Sequence, residues 1–168
     1  MRMQQESELR SELQRLLSLL HMQTSIYNVE TRIGKNGKPY IMEVSPRGGG
    51  NRLAEMVRYS TGMDMITAAV RAAVGDPIGE VVQQPLNGHW AEVILHSQQD
   101  GTFQELSLSE EIKPFVYQED LWVKPEDKVS SFIGANDAIG TLVLKCHTEE
   151  QLIRITSQLN IHISVAVK

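Results

Sequence analysis

Leucine recurs at helical spacing at the start of the chain, at Leu9, Leu13, Leu16, Leu17 and Leu20, while Glu, Arg and Gln fill the other positions. That period predicts an amphipathic helix from about Gln4 to His21, with the sheet that follows as its bed. Alternation of polarity then takes over in Ser25–Ile33 and Tyr40–Ser45, both rich in β-branched and aromatic residues, and predicts a β-hairpin. Asn36-Gly37 between them is the strongest short hairpin-turn signal, and Pro39 belongs at the strand mouth, where no ladder bond is required. The helical period returns from about Arg52 to Ser60, stopped by Thr61-Gly62, and from Asp64 to Val74, stopped by Gly75-Asp76-Pro77. Residues 79–88, dominated by Gln, Pro, Asn and Gly, read as a linker. Beyond them His89–His96, Thr102–Leu106, Phe115–Val123 and Gly140–His147 read as strands. Thr148-Glu149-Glu150-Gln151 forms a capping box that opens a helix to about Asn160, and Ile161–Val167 closes the chain as a strand. The fold class is α+β in two units, residues 1–78 and a small β-rich domain over 89–168.

Composition narrows the function classes. A chain of 168 residues can bury a core without a metal or disulfide staple. The net charge of −5 argues against a nucleic-acid binder. The single cysteine, Cys146, forms no internal disulfide and fits a reducing, cytoplasmic setting. Leu16–Leu20 is too short to cross a bilayer, and the Gln- and Glu-rich start is no signal peptide.

Candidate chemistry comes from the register of the hairpin. With Asn36 and Gly37 as the two central turn residues, Lys35 faces Lys38, Ile33 faces Tyr40, Arg32 faces Ile41, Glu30 faces Glu43 and Asn28 faces Ser45. Two carboxylates then stand opposite one another, with Cβ atoms ~4.5–5.5 Å apart. Tyr27, Val29, Thr31, Ile33, Met42 and Val44 fall on the other face, suited to the amphipathic helix. Facing acids repel, and something must offset the repulsion: a shared proton, a neighbouring Arg32 or Arg47, or a hard cation such as Mg²⁺ that also takes phosphate and water oxygens. Asn28 and Ser45 add neutral oxygens, and Arg47, two residues after Ser45, is expected to extend along this face, where it can grip a phosphate or carboxylate in bidentate fashion. The run Gly48-Gly49-Gly50 leaves backbone free for close approach to a ligand.

The stretch YNVETRIGKNGKPYIMEVSPRGGGNRLAEMVRYSTGMD resembles the last part of an ATP-grasp domain, as in the carbamoyl phosphate synthetase large subunit, biotin carboxylase and amino-acid ligases. The resemblance implies the C-terminal portion of an ATP-grasp core, an antiparallel sheet with helices, followed by the small β-rich domain. It implies that Glu30 and Glu43 ligate Mg²⁺ (or Mn²⁺) of ATP. Ser45 stands where the family has an asparagine ligand, and Arg47 matches the arginine that steadies phosphate or acyl-phosphate. The implied activity is ATP-dependent ligation of a small-molecule carboxylate to an amine or similar nucleophile. The family also uses an upstream half that holds adenine and a lid, so the expectation is a fragment or split subunit, inactive alone, with a homodimer possible. The alternative is a non-enzymatic interaction module, binding through the leucine helix and the hairpin face.

Other chemistries are poorly supported. His21, His89, His96, His147 and His162 lack ligand spacing, and no Lys-Ser or Lys-Thr follows the glycines to make a P-loop. Ser45 and Ser60 lack a nucleophile elbow. Met56, Met63 and Met65, and likewise Trp90 and Trp122, are expected to be packing residues.

Overall fold

The leucine period forms α1, Met3–Leu19, whose exposed side chains make the ion pairs Glu6–Arg10 and Glu12–Arg15, each at 2.9 Å. The computed structural model describes residues 3–23, 25–79, 81–82 and 84–168, so Glu80 and Gln83 of the expected linker lie outside the described residues. The chain clusters into two units, residues 1–58 with 62–83, and residues 59–61 with 84–168.

In the first unit α1 packs against β2, Pro39–Ser45, which pairs antiparallel with β1, Asn28–Ile33. The turn between these strands differs from the expected two-residue bend. Gly37 N–H donates to Gly34 O at 2.9 Å, and Gly34 N–H donates to Lys38 O at 2.8 Å. Lys35, Asn36 and Gly37 therefore form a three-residue loop, with Gly37 at φ 76° supplying the left-handed residue that such loops need. The Asn36 side chain favours this form by accepting the Lys38 N–H at 3.1 Å. Next to the loop the pairs are Ile33–Pro39, Arg32–Tyr40 and Thr31–Ile41, one residue away from the expected Ile33–Tyr40 and Arg32–Ile41.

A bulge then cancels the shift. The register changes between Glu30 and Thr31, which leaves Met42 as the extra residue on β2, and beyond it Glu30 faces Glu43, Val29 faces Val44 and Asn28 faces Ser45. The gain is in burial. Without the bulge Ile41 would share a face with the glutamates; with it, Ile41 and Pro39 line a groove against Leu9 and Leu16 of α1. Met42 and Ile33, expected on the helix face, are instead about half exposed.

Two helices complete this unit: α2, Leu53–Thr61, which runs past the cluster boundary, and α3, Met65–Val74, capped by Asp64, whose carboxylate accepts the Thr67 N–H at 2.9 Å. Met56, Met63 and Met65 are only half-buried, and among the described residues of the unit Arg52 alone is buried.

The core belongs to the second unit. Its strands are β3 (His89–His96), β4 (Gly101–Leu108), β5 (Val116–Leu121), β6 (Lys128–Val129), β7 (Ala138–Cys146) and β8 (Ile163–Val167). They form two antiparallel sheets of order β3-β7-β5 and β6-β4-β8. Central β7 is buried continuously from Ile139 to Leu144, as a strand covered on both faces must be. Leu95, Phe103, Ile112, Leu142, Leu144 and Ile155 fill the interior. Trp90 packs as expected, between Tyr59 and Tyr117 at centroid distances of 5.7 and 4.9 Å, whereas Trp122 is exposed.

The last helical stretch is shorter than its period predicts. It splits into α4, Glu149–Thr156, and a short α5, Leu159–His162. Thr156 Oγ1 donates to Leu152 O and Ser157 Oγ to Arg154 O, local bonds that compete with the helical ladder. Strand β6, two residues long, has no period to read.

Candidate metal–phosphate site on the hairpin

The four residues Asn28, Glu30, Glu43 and Ser45 occupy one uninterrupted stretch of ladder on one side of the Met42 bulge. Period-two alternation puts all four on one face, as two adjacent rungs about 7 Å apart along the strands. The outer rung, Glu30–Glu43, is exposed, and the inner rung, Asn28–Ser45, is half-buried. Ser45 Oγ donates to Glu43 Oε1, which fixes that carboxylate relative to its own strand.

Neither glutamate forms an ion pair with a basic side chain of the described residues. Among the described residues no Lys, Arg or His nitrogen lies within 4.0 Å of either carboxylate. Arg32 faces Tyr40 across the ladder, and Arg47 is engaged elsewhere: its Nη1 donates to Gly48 O at 2.8 Å. Two like charges facing one another without a counter-charge are destabilising on an antiparallel ladder. The described residues also hold no group of three or more His, Cys, Asp or Glu able to bind a metal. A hard cation on this face would therefore take two carboxylates and draw its other oxygens from Ser, Asn, water and ligand phosphate, a donor set that suits Mg²⁺.

Arg47 stands apart from the ladder face. The strand ends at Ser45, and Arg47 N–H donates to Ser45 O at 2.8 Å, so the chain bends at Pro46 instead of extending along the glutamates. The exposed guanidinium keeps donors beyond its one bond to Gly48. After the bend the glycines run close to β1: a Cβ on Gly49 would collide with the Leu53 side chain and lie 3.2 Å from Asn28 Oδ1. Gly49 thus lets the start of α2 settle beside the inner rung.

Sequence reasoning missed the buried Arg52, whose Nε and Nη2 reach Glu55 at 2.9 and 2.8 Å. The Arg-x-x-Glu spacing at the mouth of α2 was the signal that could have revealed it.

No family model matches the chain, and no curated protein matches it in sequence. Solved structures do match. The L-amino acid ligase from Bacillus licheniformis superposes with a TM-score of 0.80 at 19% identity, over 100% of this chain and 42% of that one. Phosphoribosylglycinamide synthetase from Anaerococcus prevotii gives 0.80 at 17% identity, over 100% and 43%. The biotin carboxylase domain dimer of Hydrogenobacter thermophilus 2-oxoglutarate carboxylase, in complex with MgADP, ADP and bicarbonate, gives 0.69 at 17%, over 100% and 38%. The likeness is one of fold: antiparallel sheets and helices matching the C-terminal portion of ATP-grasp enzymes. The chain spans less than half the length of these neighbours.

Proposed function

We propose that this ATP-grasp portion serves an ATP-dependent ligase that joins a small-molecule carboxylate to an amine or similar nucleophile, and that its hairpin supplies the Mg²⁺–phosphate end of the site. The observation that carries the reading is the Glu30–Glu43 rung, facing acids with no Lys, Arg or His nitrogen of the described residues within 4.0 Å, in a chain of this fold. Held by Glu30 and Glu43, Mg²⁺ would neutralise the charge that develops during phosphoryl transfer.

Each residue has a part in this scheme. Glu30 and Glu43 hold the ion, with Mn²⁺ an acceptable substitute. Ser45 orients Glu43 through its hydroxyl proton and keeps two lone pairs for ligation. Arg47 stabilises the transferred phosphoryl group with the guanidinium donors that Gly48 leaves free. In the reaction the substrate carboxylate oxygen takes the γ-phosphoryl group of ATP and releases ADP. The nucleophile then attacks the carbonyl carbon of the acyl-phosphate, and phosphate departs. Adenine binding falls to the part of the enzyme that this chain does not span. None of the described helices is long and apolar enough to cross a membrane, and the substrates on this reading are small molecules.

Titration of the 168-residue chain with Mn²⁺, followed by electron paramagnetic resonance of the free ion, tests the assignment. Wild type is expected to bind one ion, and Glu43→Gln and Glu30→Gln each to weaken it about tenfold or more. Equal affinity in all three proteins would remove the glutamate rung from the site.

A further inference from the structure

The chain holds two Asn-Gly dipeptides, Asn36-Gly37 and Asn87-Gly88, whose surroundings in the fold are opposite. We infer that Asn87 is a site of spontaneous deamidation in the folded protein, whereas Asn36 is held inert by its turn. The chemistry needs only the chain and water. The backbone nitrogen of the following residue gives up its proton and attacks the asparagine Cγ. A C–N bond closes a cyclic succinimide, the Cγ–Nδ2 bond breaks, and ammonia leaves with the proton. Water then opens the ring at either carbonyl, leaving aspartate or isoaspartate. Glycine is the favoured neighbour because no Cβ hinders the approach.

The reaction requires the side-chain amide and the next backbone N–H to be free. At Asn36 both are engaged. Nδ2 donates to the Tyr40 hydroxyl at 2.9 Å, Oδ1 accepts the Lys38 N–H at 3.1 Å, and the Gly37 N–H donates to Gly34 O at 2.9 Å. Attack there requires the tip of the hairpin to open first. At Asn87 both are free: the exposed side chain makes no hydrogen bond among the described residues, and neither does the Gly88 N–H. Only the main chain of Asn87 is held, its N–H donating to Ser60 O at 2.7 Å and its carbonyl accepting from Trp90 Nε1 at 2.6 Å. Conversion places a carboxylate at this position. In the isoaspartate product an extra methylene also enters the main chain between that N–H and that carbonyl, so the bonds to Ser60 and Trp90 cannot both keep their geometry.

The test incubates the 168-residue chain at mildly alkaline pH, folded and in guanidinium chloride, and follows each asparagine by peptide mapping with mass spectrometry. In denaturant Asn36 and Asn87 should convert at similar rates and ahead of Asn28, Asn51, Asn136 and Asn160, none of which precedes a glycine. In the folded protein Asn87 should convert at least about tenfold faster than Asn36. Tyr40→Phe, which removes the acceptor of the Asn36 amide, should speed folded-state conversion at Asn36 by about two- to tenfold, the worth of a neutral hydrogen bond, and leave Asn87 unchanged. If Asn87 in the folded protein is as inert as Asn36, or Asn36 converts as fast as Asn87, the inference is overturned. An Asn36 rate that Tyr40→Phe does not move would overturn the protection assigned to the turn.

Discussion

Glu43→Gln separates a functional carboxylate pair from a decorative one, because the metal reading fixes the sign of two effects at once. The substitution removes one of two like charges on directly opposed positions and preserves the oxygen that accepts the Ser45 hydroxyl. With the charges about 5–7 Å apart in water, the repulsion is about 0.6–0.8 kcal/mol before screening. At 10 mM ionic strength, where the Debye length is ~30 Å, about 0.5–0.7 kcal/mol of it survives. Without divalent metal the variant should therefore be the more stable protein. In urea, with m of about 1.5 kcal/mol per M, its midpoint should lie roughly 0.3–0.5 M higher, and the difference should shrink as salt is added. Metal reverses the order. For a weak site of about 1 mM, 10 mM Mg²⁺ stabilises the wild type by about 1.4 kcal/mol and should leave the variant almost untouched. Urea melts followed by NMR signals of β1 and β2, with and without Mg²⁺, read both effects on the element concerned. A variant no more resistant than wild type in metal-free buffer, or equal protection of both by Mg²⁺, would refute the argument.

Two further predictions concern the second unit. Thr148 and Gln151 close a reciprocal cap, with Thr148 Oγ1 accepting the Gln151 N–H at 3.2 Å and Gln151 Oε1 accepting the N–H of His147 and Thr148. Thr148→Ala should cost about 1 kcal/mol in urea denaturation, and an unchanged midpoint would show that the cap contributes nothing. Burial pushes the Cys146 thiol above its ordinary value, against a smaller downward pull from Arg154, so it stays protonated through neutral pH. A thiol-exchange reagent at pH 8 should leave the native protein unmodified and label it fully in urea; rapid native labelling would contradict the burial.

How much of this was legible in the sequence depends on the length over which each signal acts. The leucine period, the alternating hairpin and the capping box are local, and each produced its element within a few residues of the expected ends. The Glu30–Glu43 pairing was reached by a count from the wrong turn. A three-residue loop shifted the register one way and the Met42 bulge shifted it back. No local propensity encodes that bulge; it follows from the need of Ile41 and Pro39 to meet α1, a tertiary requirement. The position of Arg47 was misread for a similar reason, since a single bond to Ser45 O turns the chain where the pattern suggested continued extension. Strand β6 and the break after Thr156 lay below the resolution of any period, being set by a two-residue pairing and by side-chain hydroxyls.

The division of burial between the units bears on why the proposed site sits on the hairpin. The buried apolar residues among those described all belong to the second unit, whereas the first relies on a half-buried helix–hairpin contact and a ladder with a repulsive rung. Few buried contacts favour low local stability, and where ordered and loosened states lie close in free energy a ligand energy of 1–2 kcal/mol, a factor of about 5–30 in their ratio, changes their populations appreciably. The same energy applied to the rung of a buried strand such as β7 would change almost nothing. On the proposed reading, a metal–phosphate ligand on Glu30 and Glu43 would do two things in one step: it would cancel the repulsion and tighten the hairpin that presents Asn28, Ser45 and the bend to Arg47. Replacing the rung with an uncharged, well-paired one would yield a firmer hairpin that no longer responds to the ion, which is why the repulsion is better understood as part of the site than as a defect of the strand pair.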